Sequence, residues 1–170
     1  MALEVASLRT LRTGALILSI FIIAADQASK WWMMGLLAGP PYSIEVTGFF
    51  NLVRAWNRGV SFGLFNSDGQ WNAIILSTVA VIIVIALLVW LFQTDDRPTI
   101  VAIGLVVGGA LGNVIDRARF GAVFDFLDVH AMGWHWPAFN VADSAISIGA
   151  VILVCDGLFG GAKRRNVPES

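Results

Sequence analysis

Residues 69–94 read GQWNAIILSTVAVIIVIALLVWLFQT, with no charged side chain between Asp68 and Asp95. As a helix rising 1.5 Å per residue, this run reaches roughly 39 Å. A bilayer core is about 30 Å thick, so the run spans it with some tilt. The whole 170-residue chain shares this character: 57% of its residues are apolar and only 14% are charged. Its mean hydropathy is +0.76. Soluble domains carry about 25% charge, so neither a disordered chain nor an ordinary soluble domain fits. The net charge of −1 gives no support to a nucleic-acid binder. A lone cysteine, Cys155, excludes an internal disulfide framework and any multi-cysteine metal site.

Working outward, Pro98 to Ile115 is charge-free and opens on a proline that suits a first helical turn. Thr13 to Ala25 is too short to span unless it continues through Asp26 and Lys30 to about Trp32. The last apolar run covers about Pro137 to Gly160 and is broken by Asp143 and Asp156. The expectation is a single integral membrane domain, 1–170, all-α with four transmembrane helices at about 13–32, 71–93, 98–117 and 138–160. Outer connections then fill 33–70 and 118–137.

Arg9 and Arg12 followed by Ala15 to Ile23 also have signal-peptide character, but continuation into Lys30-Trp31-Trp32 favours a retained helix with an interfacial anchor. Four spans put both termini on one side. Lys163, Arg164 and Arg165 argue that this side is the cytoplasm. The full count of Lys and Arg, six inside against five outside, does not decide the orientation.

Six of the seven tryptophans (Trp31, Trp32, Trp56, Trp71, Trp134 and Trp136) fall at the proposed outer face, and only Trp90 at the other. This predicts an amphipathic platform at that interface. Within it, Ile44 to Thr47 and Phe49 to Trp56 alternate loosely around Gly48, which reads as a short β-ribbon.

Acids inside a membrane are costly and mark function by default. Asp26 and Lys30 stand four apart, acid first, and can neutralise each other as a helix ion pair. Asp156 reads as interfacial and non-functional. Gly104, Gly108 and Gly112 form a small-residue face for close helix packing, continued by Asp116. Asn113 lies four before Arg117 and could hydrogen-bond an extended peptide. Asn140 and Asp143 are three apart and share a helix face with Ser144 and Ser147 near them. Asp125, between Phe124 and Phe126, is expected to be desolvated, which raises its pKa. The topology thus gathers Asp26, Asn57, Asp116, Arg117, Asp125, Asn140 and Asp143 at one membrane face.

Two carboxylates in a low-dielectric site share one proton, leaving one base and one acid near neutrality. The base can take a proton from water while the acid polarises a peptide carbonyl, without metal or covalent intermediate. A metal site is the weaker alternative. His130 and His135 stand near Asp125, Asp128 and Asp143, but five apart in a Gly- and Trp-containing loop rather than on one helical turn. Ser61, Ser144 and Cys155 have no recognisable base partner.

Five motifs in order resemble those of the lipoprotein signal peptidases, or signal peptidase II, membrane aspartic peptidases of bacterial inner membranes. They are Asp26-Gln27-Ala28-Ser29-Lys30, Asn57-Arg58-Gly59-Val60-Ser61-Phe62, Gly108 through Arg117, Gly121 through Phe126, and Phe139-Asn140-Val141-Ala142-Asp143-Ser144. Departures are small: Val60-Ser61 stands where two alanines are common, Trp56 where Tyr is common, and Phe124 where an aliphatic residue is common. No polar group is lost.

The resemblance implies a substrate: a prolipoprotein whose lipobox cysteine carries diacylglycerol, cut just before that cysteine. It implies Asp125 and Asp143 as the catalytic dyad, with Asn57, Asn113, Arg117 and Asn140 binding the peptide or orienting the dyad. Asp26, Lys30, Gly59 and Asp116 support the site. No cofactor and no metal are implied. The expected partners are the lipid-modified substrate and membrane lipid, with the enzyme a monomer. The sequence is also compatible with two other classes. A proton-coupled transporter would spread its acids through the membrane's depth. A non-catalytic assembly subunit would tolerate neutral changes at Asp125.

Overall fold

The structure is a computed structural model describing residues 2–59 and 70–160. Val60, Ser61 and Phe62 of the second motif, Asp68, and the Lys163, Arg164 and Arg165 cluster lie outside the described residues. Four helices are long and apolar enough to cross a membrane. They are α1 (Ala2–Leu36), α2 (Gln70–Gln93), α3 (Arg97–Phe120) and α4 (Val141–Cys155), the last running on into a π-helical turn, Asp156–Gly160. The first apolar run does continue through Asp26 and Lys30 as one helix.

α3 is the central helix. It packs on α1, α2 and α4 and buries most of its length, whereas α2, the most hydrophobic helix, is mainly exposed. Lipid is as apolar as leucine, so small residues rather than greasy ones mark helix contacts. The glycine face behaves this way: a Cβ at Gly104 would lie 2.7 Å from the Ala15 carbonyl oxygen of α1, and one at Gly108 2.8 Å from that of Ser19. Ser19 seals the contact by donating to the Gly104 carbonyl at 2.8 Å. A second close approach, unread in the sequence, joins Gly109 to Ala142 and Gly149 to Ala102, bringing α4 against α3. Asp96 caps α3 by accepting from Thr99 N at 3.0 Å, and Gly121, at φ 69°, ends it in the left-handed conformation glycine tolerates.

The connections build one four-stranded antiparallel sheet in the order β1 (Ser43–Thr47), β2 (Phe50–Asn57), β3 (Val123–Ala131) and β4 (Trp134–His135). The predicted ribbon is β1 and β2. β3 falls within the expected outer connection 118–137: its first four residues are all buried, so the outward polar alternation of a half-exposed strand is missing. Arg54 ties the sheet to α1 by donating to the Leu37 and Ala38 carbonyls at 3.5 and 3.3 Å. The six platform tryptophans are exposed at this end of the bundle. At the opposite end Arg12 donates to the Thr94 carbonyl and pairs with Asp95, both at 2.9 Å.

Candidate active site

The site forms where α1, α3, β3 and the start of α4 meet. Asn140 is the N-cap of α4. Its Oδ1 accepts from Asp143 N at 2.9 Å, and its own N–H donates to Asp143 Oδ2 at 3.2 Å. This reciprocal capping box fixes the Asp143 carboxyl at the helix entrance. The Asn140 side chain, fully buried, donates at 2.7 Å to Asp125 Oδ1. One asparagine therefore binds both proposed catalytic acids.

Asn113 on α3 completes the arrangement, donating from Nδ2 to Asp143 Oδ1 at 2.7 Å. Its Oδ1 accepts from Lys30 Nζ at 3.2 Å and from Asn140 Nδ2 at 3.3 Å. An ammonium has donors only, so Lys30 fixes which end of the Asn113 amide faces Asp143. Lys30 is itself buried between Asp26 Oδ2 at 2.8 Å and Asp116 Oδ2 at 2.9 Å. The expected Asp26–Lys30 pair is thus one edge of a three-helix cluster. Asp26 Oδ1 accepts from Ala142 N of α4 at 3.0 Å, and Asp116 Oδ2 from Phe124 N of β3 at 3.1 Å. Gly112 leaves the room this needs, since a Cβ there would lie 2.8 Å from Asp26 Oδ2.

Sequence reasoning gave Gln27 no role. Its amide donates to Asp26, to Asp116 and to the Gly112 carbonyl at 3.2, 2.9 and 3.2 Å. The available signal was its place between Asp26 and Lys30 in the first motif.

Asn57 arrives from the sheet. Leu52 pairs with Leu127 but Ala55 with Asp125, so β2 carries one extra residue there. Side chains alternate along a strand, and one added residue exchanges the faces. The bulge puts Asn57 on the face of Asp125 and sends Trp56 to the other, where its ring lies 5.2 Å from Phe124 and 5.4 Å from Phe120. Gly59, at φ 80°, donates to Asn57 Oδ1 at 2.8 Å and holds the asparagine in a turn. Arg117 is half-buried on α3, and its positive charge acts on Asp143, Asp125 and Asp116.

Asp125 is buried on β3 between Phe124 and Phe126, whose side chains turn to the other face of the strand. Its carboxyl is pushed up to about 7, first by burial and next by the charge of Asp143, against the opposing amides of Asn57 and Asn140. The flanking phenylalanines predicted that direction. His130 and His135 do not join this cluster. Their rings stack at 4.8 Å and His135 Nδ1 lies 2.9 Å from Asp128, which points from β3 to the side opposite Asp125. That contact and an Asn51 amide hold the Asp128 carboxyl below the usual range despite its desolvation.

The chain as a whole is similar to known proteins. The family model for signal peptidase (SPase) II matches residues 18–159. The lipoprotein signal peptidase of Methylorubrum extorquens (strain PA1) is 47% identical over 150 residues, 86% of each chain. That of Serratia marcescens is 39% identical over 149 residues, 88% of this chain and 87% of its own. A solved bacterial membrane enzyme superposes with a TM-score of 0.77 at 28% identity, covering 93% of this chain and 95% of that one. A second gives 0.72 at 30% identity, covering 86% and 94%. The chain is a multi-pass membrane peptidase and belongs to the signal peptidase II family.

Proposed function

We propose that this chain is an aspartic endopeptidase of the bacterial inner membrane. It removes signal peptides from diacylglyceryl-modified prolipoproteins by cutting just before the lipidated cysteine. The observation that carries the reading is the pairing of Asp125 and Asp143 through Asn140. With its pKa raised to about 7, Asp125 keeps a substantial protonated fraction at neutral pH and can serve as the acid of the pair. Asp143 accepts an N–H on each oxygen, which suits the base. It takes a proton from water, and the oxygen of that water attacks the scissile carbonyl. The Asp125 proton meets the developing oxyanion. Collapse of the tetrahedral intermediate passes a proton to the leaving nitrogen, giving a new carboxyl and a free amine.

Asn57 and Arg117 border the pair and are suited to hold the peptide backbone. Asn113 and Asn140 orient the acids, and Asp26, Lys30, Gly59 and Asp116 support them. The enzyme works as a monomer, a single membrane domain with both termini cytoplasmic and its site near the outer leaflet, where the tryptophan platform meets the lipid-bearing segment. Relatives named lipoprotein signal peptidase support the substrate class.

Asp125→Asn and Asp143→Asn each lower cleavage of a lipid-modified prolipoprotein by about 100- to 10,000-fold. The thermal transition in detergent stays cooperative. Full activity in either variant refutes the dyad.

A further inference from the structure

Beside the proposed site, a cavity of about 740 Å³ opens between the first turns of α2 and the last turn of α3. Three arginines line it, Arg58, Arg117 and Arg119, with no carboxylate among its described lining residues. Arg117 faces the acids of the site. Arg58 and Arg119 are exposed and form no ion pair among the described residues. Arg119 lies over the Phe120 ring, 5.0 Å from its centroid, which holds the guanidinium at the helix end. Neither cation occupies a defined position of the five motifs: Arg58 is a variable place within one, and Arg119 falls between two. The catalytic proposal therefore leaves their charge unused.

Depth identifies the occupant. Trp71 and Phe120, both exposed, mark the interface at the ends of α2 and α3. The α2 wall of the cavity descends from there through Ala73 and Ile74 to Ser77 and Thr78. Below it on the same side of α2, exposed Val81, Ile82 and Ile85 present an apolar surface to acyl chains. A ligand here has an anionic head beside guanidinium forks and a hydrocarbon tail along α2. Guanidinium groups bind phosphate oxygens in bidentate fashion, and unpaired cations at a bilayer surface attract anionic lipid. We propose that Arg58 and Arg119 form a binding site for the head-group phosphate of an anionic phospholipid.

The site is tested on the full-length protein, delipidated in neutral detergent, by native mass spectrometry. The probes are phosphatidylglycerol, phosphatidylcholine and inorganic phosphate. The parent chain is expected to retain one phosphatidylglycerol at concentrations where phosphatidylcholine is lost. Arg58→Gln with Arg119→Gln lowers that affinity roughly tenfold or more. Arg9→Gln, removing one charge at the far end of α1, leaves it unchanged. Equal phosphatidylglycerol retention by the double variant overturns the site. Displacement of the lipid by millimolar inorganic phosphate overturns the lipid assignment in favour of a soluble anion. Should the double variant fail to fold, Arg119→Lys keeps the charge but loses the fork. Undiminished binding by that variant also overturns the proposal.

Discussion

Two groups of acids share one hydrogen-bonded relay and are held in opposite ways. Asp26 and Asp116 clasp Lys30 at 2.8 and 2.9 Å, and their other contacts come from backbone N–H groups and Gln27. Every charge there has a direct counter-charge, so the cluster fastens α1, α3, α4 and β3 to one another. Among the described residues, the hydrogen-bond partners of Asp125 and Asp143 are amides: the side chains of Asn57, Asn113 and Asn140 and the Asn140 backbone. Among the described residues neither forms an ion pair, and Arg117 and Lys30 act on them only at longer range. The carboxylates matched by an ammonium fasten the fold, whereas Asp125, buried against neutral amides, is pushed up to about 7. Asn113 joins the two groups, since it accepts from Lys30 and donates to Asp143.

The distinction breaks most severely at Lys30. Lys30→Met strands two buried carboxylates, and removing one partner of such a pair costs about 3–5 kcal/mol. A chemical or thermal denaturation series measures it, and the triple change with Asp26→Asn and Asp116→Asn recovers most of the loss. A Lys30→Met protein as stable as its parent would erase the contrast. Gly112→Ala pushes a methyl against Asp26 Oδ2 and is expected to cost about 1–3 kcal/mol, with activity falling because the Asp26 tie to Ala142 shifts.

The acid pair is sharpened by pH. Activity falls about tenfold per unit as pH rises well above 7 and Asp125 loses its proton. Stability moves with it. The raised Asp125 pKa means the folded state binds a proton that the unfolded chain has released, so stability declines between about pH 4 and pH 7. Asp125→Asn removes that decline. Melting curves should show the variant gaining on its parent from pH 4 to pH 8, and parallel curves would contradict the pKa. The smallest effect is expected at Asn57→Ala, a few-fold loss of activity worth about 1 kcal/mol, with the loss concentrated in KM.

Much of this was readable from spacing. The three-residue interval from Asn140 to Asp143 is a capping interval, and the four-residue interval from Asp26 to Lys30 is a helical ion pair. Both are local. The β2 bulge was not readable, because the sequence from Phe50 to Asn57 does not say which residue is left unpaired. Without it Trp56 rather than Asn57 would share the face of Asp125. Nor could spacing show that Lys30 reaches Asp116 and Asn113, which lie more than eighty residues away along the chain. The glycines at 104, 108 and 112 announced a close contact without naming its partner. Strand β3 escaped because burial on both faces erased the alternation that marks a half-exposed strand.

The bond from Ala142 N to Asp26 Oδ1 has a mechanical consequence. Asp26 lies about one and a half helical turns below Trp31 and Trp32, both exposed. The residue after Ala142 is Asp143. The helix that carries the tryptophans therefore also sets the height of Asp143, and the bilayer surface becomes the datum from which the chemistry is levelled. Under the proposed dyad, the bond cut is set by its height at the bilayer surface as well as by the residues around it.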